Sequence, residues 1–201
     1  MSSSRVIDVS ELAPAAFGHR SLLWWGTVGL ILIEGTAFAL AIASYFFLRL
    51  RSPAWPPPGV APPDLLWGTL NVIVLLASAI PNQLAKNAAE RIDLGGVRLW
   101  LVVGLVFGVG FNVIRVLEFG ALNCNWATHA YGSIVWMLLG LHTTHIATDV
   151  LDTGVLTVLM FTGPIEEKRF VDVSENSMYW YFVVLTWLPI YGVIYWAPRL
   201  V

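Results

Sequence analysis

The chain has 201 residues, 57% of them hydrophobic and only 12% charged, with ten Trp, ten Phe and a formal net charge of −2; its mean hydropathy is +0.72. That balance excludes an ordinary water-soluble domain and offers no basic patch for nucleic acid, while the single cysteine, Cys124, excludes an internal disulfide or a thiolate cluster. Apolar runs long enough to cross a bilayer core of about 30 Å, roughly 20 helical residues each, recur along it, so the sequence predicts an all-α, polytopic membrane helix bundle.

The polar start, MSSSRVIDVSELAPAAFGHR, carries Asp8 and Glu11. It lacks the short apolar core and small-residue cleavage site of a signal peptide. Residues 1–20 are expected to be a retained, flexible cytoplasmic arm, and residues 21–201 a five-helix transmembrane domain. Five apolar segments follow, at about Leu22 to Leu48, Leu65 to Ala85, Val97 to Leu122, Ala130 to Phe161 and Ser177 to Trp196. The first connection, RSPAWPPPGVAPPD, predicts a stiff extended cap on one membrane face. The others are KNAAERIDLGGVR, NCNWATH and GPIEEKRFVDVSEN, and none leaves room for a soluble domain. With the N-terminus cytoplasmic, the inner side carries Arg5, Arg20, Lys86, Arg91, Arg98, Lys168 and Arg169, against Arg49, Arg51 and Arg199 outside. Seven against three favours that orientation. The C-terminus is then outside, with Tyr191, Tyr195 and Trp196 expected as aromatic anchors at that interface.

Ionisable groups at membrane depth are costly unless paired or wetted, so each is a candidate site. Glu34 stands midway along the first segment with no basic residue within a turn. A carboxyl there must be protonated or hydrogen-bonded to another helix, either as a packing residue or in a proton-linked or lipid-linked role. In the third segment Arg115 and Glu118, three apart, can pair on one face, with Asn112 one turn away. As a lone pair without further polar neighbours, they read as a self-neutralising structural unit more readily than as a transport pathway.

The fourth segment carries Tyr131, Val135, Leu138, His142, His145, Asp149 and Asp152 in alternating steps of four and three, hence on one face. His142, His145 and Asp149 are the donor types of a first-row metal site. Bundle sites of that kind, however, draw carboxylates and Glu-x-x-His motifs from several helices. The sequence has no Glu-x-x-His, and the other histidines, His19 and His129, fall near the membrane surfaces. A hydrogen-bonded interhelical network is therefore the preferred reading. No P-loop, GxSxG or GxGxxG is present, so no catalytic, cofactor-binding or metal-ligating residue is assigned.

Five stretches in order resemble subunit III of the haem-copper respiratory oxidases, in its short bacterial form with five helices. ILIEGTAFALAIASYFFLR resembles the family segment with an acidic residue, small and aromatic residues, Tyr and a closing Arg; Glu34 and Arg49 take those places. WPPPG, Trp55 to Gly59, matches a Trp-Pro-Pro loop, and LNVIVLLASA keeps Asn71 and Ser78. Phe111, Arg115, Glu118 and Phe119 are similar to a Phe…Gln-x-x-Glu-Tyr stretch, with Arg in place of Gln. YGS at Tyr131 to Ser133 followed by GLHTTHI resembles Gly-x-His-Gly-x-His-Val; Thr143 and Asp149 stand where the family has glycine. In YWYFVVLTWLPIYGVIYW, Tyr181 and Val184 replace a His and an Asp.

The resemblance implies an accessory, non-catalytic subunit III of a cytochrome c oxidase in a bacterial inner membrane. It would pack on subunit I near its proton uptake route and support sustained oxygen reduction and proton pumping. Haem and copper would belong to partner subunits I and II. The resemblance also implies bound phospholipid in a cleft, with Glu34, His142 and His145 as lipid-cleft or proton-linked candidates. Asn71, Arg115, Glu118, Tyr131 and Asp149 are expected to form a structural polar network. A quinol oxidase or nitric oxide reductase complex, and a small transporter using Glu34 and Arg115/Glu118, are the alternatives.

Overall fold

A computed structural model describes residues 16–200. It contains five long helices: α1 (Leu22–Arg51), α2 (Leu65–Glu90), α3 (Leu94–Gly120), α4 (Ala130–Thr162) and α5 (Glu167–Tyr191). All five are long and apolar enough to cross a membrane. Of the expected N-terminal arm, residues 1–15 lie outside the described residues, and Gly18–Arg20 form a single 3-10 turn.

Local chemistry sets the helix starts. The Ser21 hydroxyl accepts from the Leu23 N–H at 3.2 Å, the Asp93 carboxylate from Gly96 at 3.1 Å, and His129 Nδ1 from Gly132 at 2.8 Å. Each takes up one of the donors that a helix N-terminus leaves free. The charged linker expected between α2 and α3 shrinks to Arg91–Asp93, with Ile92 at φ 56°. α2 continues past Ala85 because Ala88 and Ala89 are small enough to let Val97 and Leu101 of α3 close on them.

The largest departure from the sequence reading is α5, which begins at Glu167 and not at Ser177. The polar stretch EKRFVDVSEN has low hydropathy but an amphipathic pattern. Phe170, Val173, Ser174 and Ser177 are buried at helical spacing, and Phe170 and Val173 pack in a cluster with Ala85, Val97, Leu156 and Met160. At its other end α5 passes into a π-helical turn over Gly192–Trp196, a widened turn that re-aims side chains. Tyr195 is thereby 1% exposed and turned into the bundle, and only Trp196 of the expected anchors is largely exposed.

Helices α2 and α3 form a hairpin against α5 and α4, and α1 lies across α4 and α5. The main core gathers Phe38, Tyr45, Leu75, Phe111, Leu138 and Trp187. α1 buries only Phe38, Ala41 and Tyr45, leaving Leu32, Ile33, Leu40 and Phe47 exposed. The proline-rich connection is tied down and does not merely cap the bundle. Trp55 inserts between Tyr45 and Tyr131 with ring centroids 5.3 and 5.1 Å away. Asn123 and Arg199 donate to the Pro62 and Pro63 carbonyls at 3.1 and 2.6 Å. Cys124, half-buried between α3 and α4, has its thiol pushed up to about 11 by burial, so it is no ready nucleophile.

Candidate cleft and buried ion-pair network

A cleft of about 520 Å³ opens between α1, α4 and α5. Leu23, Leu30, Val155 and Leu159 make one side of it apolar, whereas Asp152, Arg169, Asp172, Glu175 and Asn176 make the other polar. Glu34, Asp149 and Tyr179 close its inner end. Glu34 is hydrogen-bonded to another helix: the Tyr179 hydroxyl donates to its Oε2 at 2.5 Å. His145 Nε2 lies 3.7 Å from the same oxygen, too far for a hydrogen bond, while His145 Nδ1 donates to the Leu141 carbonyl at 2.7 Å. Asp149 is 3% exposed and its Oδ2 has no hydrogen-bond partner. Both Glu175 carboxyl oxygens are likewise buried without one.

The second feature is buried. Arg115 and Glu118 pair at 2.9 Å with 0% and 1% exposure. Their neighbours from other helices are polar, which the sequence of α3 by itself does not show. Asn71 Nδ2 donates to Glu118 Oε2 at 2.5 Å, and the Tyr195 hydroxyl donates to Oε1. Arg115 Nη2 meets His142 Nδ1 at 3.3 Å, and His142 Nε2 meets the Val183 carbonyl at 3.0 Å. A guanidinium only donates and a carbonyl only accepts, so the His142 tautomer with its proton on Nε2 satisfies both. The guanidinium is also flanked by Phe111 at 4.7 Å and Trp187 at 3.9 Å to the ring centroids, a cation–π arrangement that replaces lost hydration. Four helices are thus joined at one ion pair.

The sequence-predicted residues therefore separate. Asn71, Arg115, Glu118 and His142 meet in the network; Glu34, Asp149 and His145 lie at or beside the cleft. Tyr131 belongs to neither, its hydroxyl making no hydrogen bond. His142 and His145 do not converge on a common point with Asp149, and among the described residues no group of three or more His, Cys, Asp or Glu is arranged to hold a metal ion. His142 has both ring nitrogens committed, so it has no lone pair left for a metal.

Sequence reasoning missed Asp172, Glu175 and Asn176 because it treated their helix as starting at Ser177, and Tyr179, inside that segment, because its partner Glu34 is 145 residues away. Their spacing carried the signal: Arg169, Asp172, Glu175/Asn176 and Tyr179 recur at three- to four-residue steps on one face. Tyr195 was missed because a π-turn cannot be read from hydropathy.

The sequence profile of the family described as Cytochrome c oxidase subunit III matches residues 17–198. A protein of Mycobacterium bovis named as a probable cytochrome c oxidase subunit 3 is 31% identical over 181 residues, covering 85% of this chain and 85% of its own length. A Synechocystis cytochrome c oxidase subunit 3 is 26% identical over 181 residues, covering 89% of this chain and 77% of the relative. A probable cytochrome c oxidase subunit 3 of Nocardia farcinica is 26% identical over 175 residues, with 86% of each covered.

Proposed function

The chain belongs to the cytochrome c oxidase subunit III family, and from that membership we propose a division of labour in which it supports the oxidase while its partners carry the redox chemistry. As a multi-pass accessory subunit III of a haem-copper oxidase, it is part of an oxidase complex. The observation that carries this is the match over residues 17–198, nearly the whole of the described bundle.

In this reading haem and copper reside in subunits I and II, and the chain packs on subunit I, in a bacterial inner membrane. The cleft takes phospholipid. An acyl chain suits Leu23, Leu30, Val155 and Leu159, and the polar wall on α5 meets the headgroup region; Glu34 and Tyr179 close the cleft's inner end. Supporting the absence of a metal role for His142, its Nδ1 accepts from Arg115 and its Nε2 donates to the Val183 carbonyl.

Purification of the chain in mild detergent should bring down chains bearing haem and copper, and the His142→Ala/His145→Ala double variant should leave the haem and copper content unchanged. Recovery of the chain alone, or loss of a stoichiometric metal in the double variant, would contradict the reading. A complex lacking a copper-binding subunit would point to the quinol oxidase alternative.

The basic-residue asymmetry supports an N-terminus in the cytoplasm. A cysteine at the exposed loop residue Ala61 should then react with an impermeant reagent added from outside. Reaction only from the cytoplasmic side would reverse the topology.

A further inference from the structure

A second, much smaller space lies among α2, α3, α4 and α5, with a volume of about 20 Å³. A water fits where there is room for about one water-sized sphere and polar partners to hold it, and the space meets the first condition. Trp100, Leu101 and Gly104 contribute apolar surface; Ser78, Asn82, Thr153 and Asn176 contribute polar atoms, with Asn82 Nδ2 already donating to the Ser177 carbonyl at 3.0 Å.

Asn176 borders both this space and the cleft. Its Nδ2 donates to Thr153 Oγ1 at 2.9 Å, while its Oδ1 is buried with no hydrogen-bond partner. Reversing the amide does not cure this. The oxygen would then face the Thr153 hydroxyl, which can donate, but the amide nitrogen would be left unpaired. Either way one amide atom calls for a partner that no described residue supplies. Buried polar groups of this kind are ordinarily satisfied by protein or by an ordered water.

The other polar atoms have capacity to spare. Thr153 Oγ1 accepts from Asn176 and retains its own O–H. Ser78 Oγ donates to the Leu75 carbonyl at 2.6 Å and accepts from Trp180 Nε1 at 2.9 Å, which leaves one lone pair. No carboxylate lines the space, so a bare cation finds no countercharge there.

We propose that this space is a binding site for one ordered water molecule, which donates to Asn176 Oδ1 and joins α5 to the Thr153 and Ser78 positions of α4 and α2. The site lies directly behind the polar wall of the cleft, with Asn176 as the shared residue. The water takes the place of a side chain–side chain contact, making three bonds where the protein alone leaves one acceptor open.

The test is cryo-electron microscopy of the assembled oxidase complex in lipid nanodiscs, at a resolution where buried waters are seen in the partner subunits. The expected result is a single density peak about 2.7–3.2 Å from the Asn176 amide oxygen. Asn176→Leu should lose that peak, and Asn176→Asp should keep it. An empty space in the unaltered complex, beside resolved waters elsewhere, overturns the proposal; so does a peak that survives in N176L. Should N176L fail to assemble, the map of the unaltered complex decides alone.

Discussion

Replacing Glu118 by leucine is expected to cost the bundle about 3–5 kcal/mol, because it leaves the Arg115 guanidinium charged and buried with only His142 as a hydrogen-bond partner. Arg115→Leu should cost less. Glu118 then keeps Asn71 and Tyr195 as donors and can take up a proton. The double replacement by leucine should recover most of the loss, since removing a buried pair altogether is often close to neutral. Thermal inactivation of the assembled complex reads all three. A Glu118→Leu complex as stable as the parent would show that the pair does not hold α2, α3, α4 and the end of α5 together.

Gly68→Ala is expected to destabilise by about 1–3 kcal/mol, the ordinary cost of overpacking a full core. The added methyl would lie 2.5 Å from Tyr195 Cζ and 2.6 Å from Cε2, closer than carbon atoms approach. The ring cannot swing aside cheaply, since its hydroxyl is held by Glu118 and its neighbours Val193 and Ile194 are buried. The sign is diagnostic. In an unobstructed helix the same change stabilises by roughly 0.5–1 kcal/mol. Combining Gly68→Ala with Tyr195→Ala should therefore give much less than the sum of the two single costs, measured by the same thermal inactivation. An additive pair would mean that the close approach of Tyr195 to α2 is not what Gly68 provides.

The number and approximate extent of the helices were legible because a membrane span advertises itself as uninterrupted hydropathy, and α1 and α4 begin where the apolar runs of Leu22 and Ala130 begin. Family membership was legible in short ordered stretches such as WPPPG and GLHTTHI. The first ten residues of α5 were not, because a helix that lines a polar cleft carries charge on that face: Arg169, Asp172 and Glu175 lowered its hydropathy while Phe170 and Val173 packed behind them. The candidate site was half legible. Glu34 and the Arg115/Glu118 pair stood out as charges in apolar surroundings. Asn71 was reached only through the family resemblance; Tyr179 and Tyr195 come from elsewhere in the chain, and sequence separations of 145 and 77 residues carry no local pattern. The three-residue spacing of His142 and His145 suggested convergence, but the two rings engage different neighbours, α3 and α5 for one and the α1 side for the other.

The central claim is that this chain supports an oxidase whose redox centres lie elsewhere. Oxygen consumption by the purified complex, followed through many turnovers with and without this chain, tests it most directly. The account predicts that the stripped complex keeps its haem and copper and begins at a rate comparable to the intact one, then loses activity faster as turnover proceeds. Complete absence of oxygen reduction from the first turnover, in a stripped complex whose haem and copper content is intact, would contradict it.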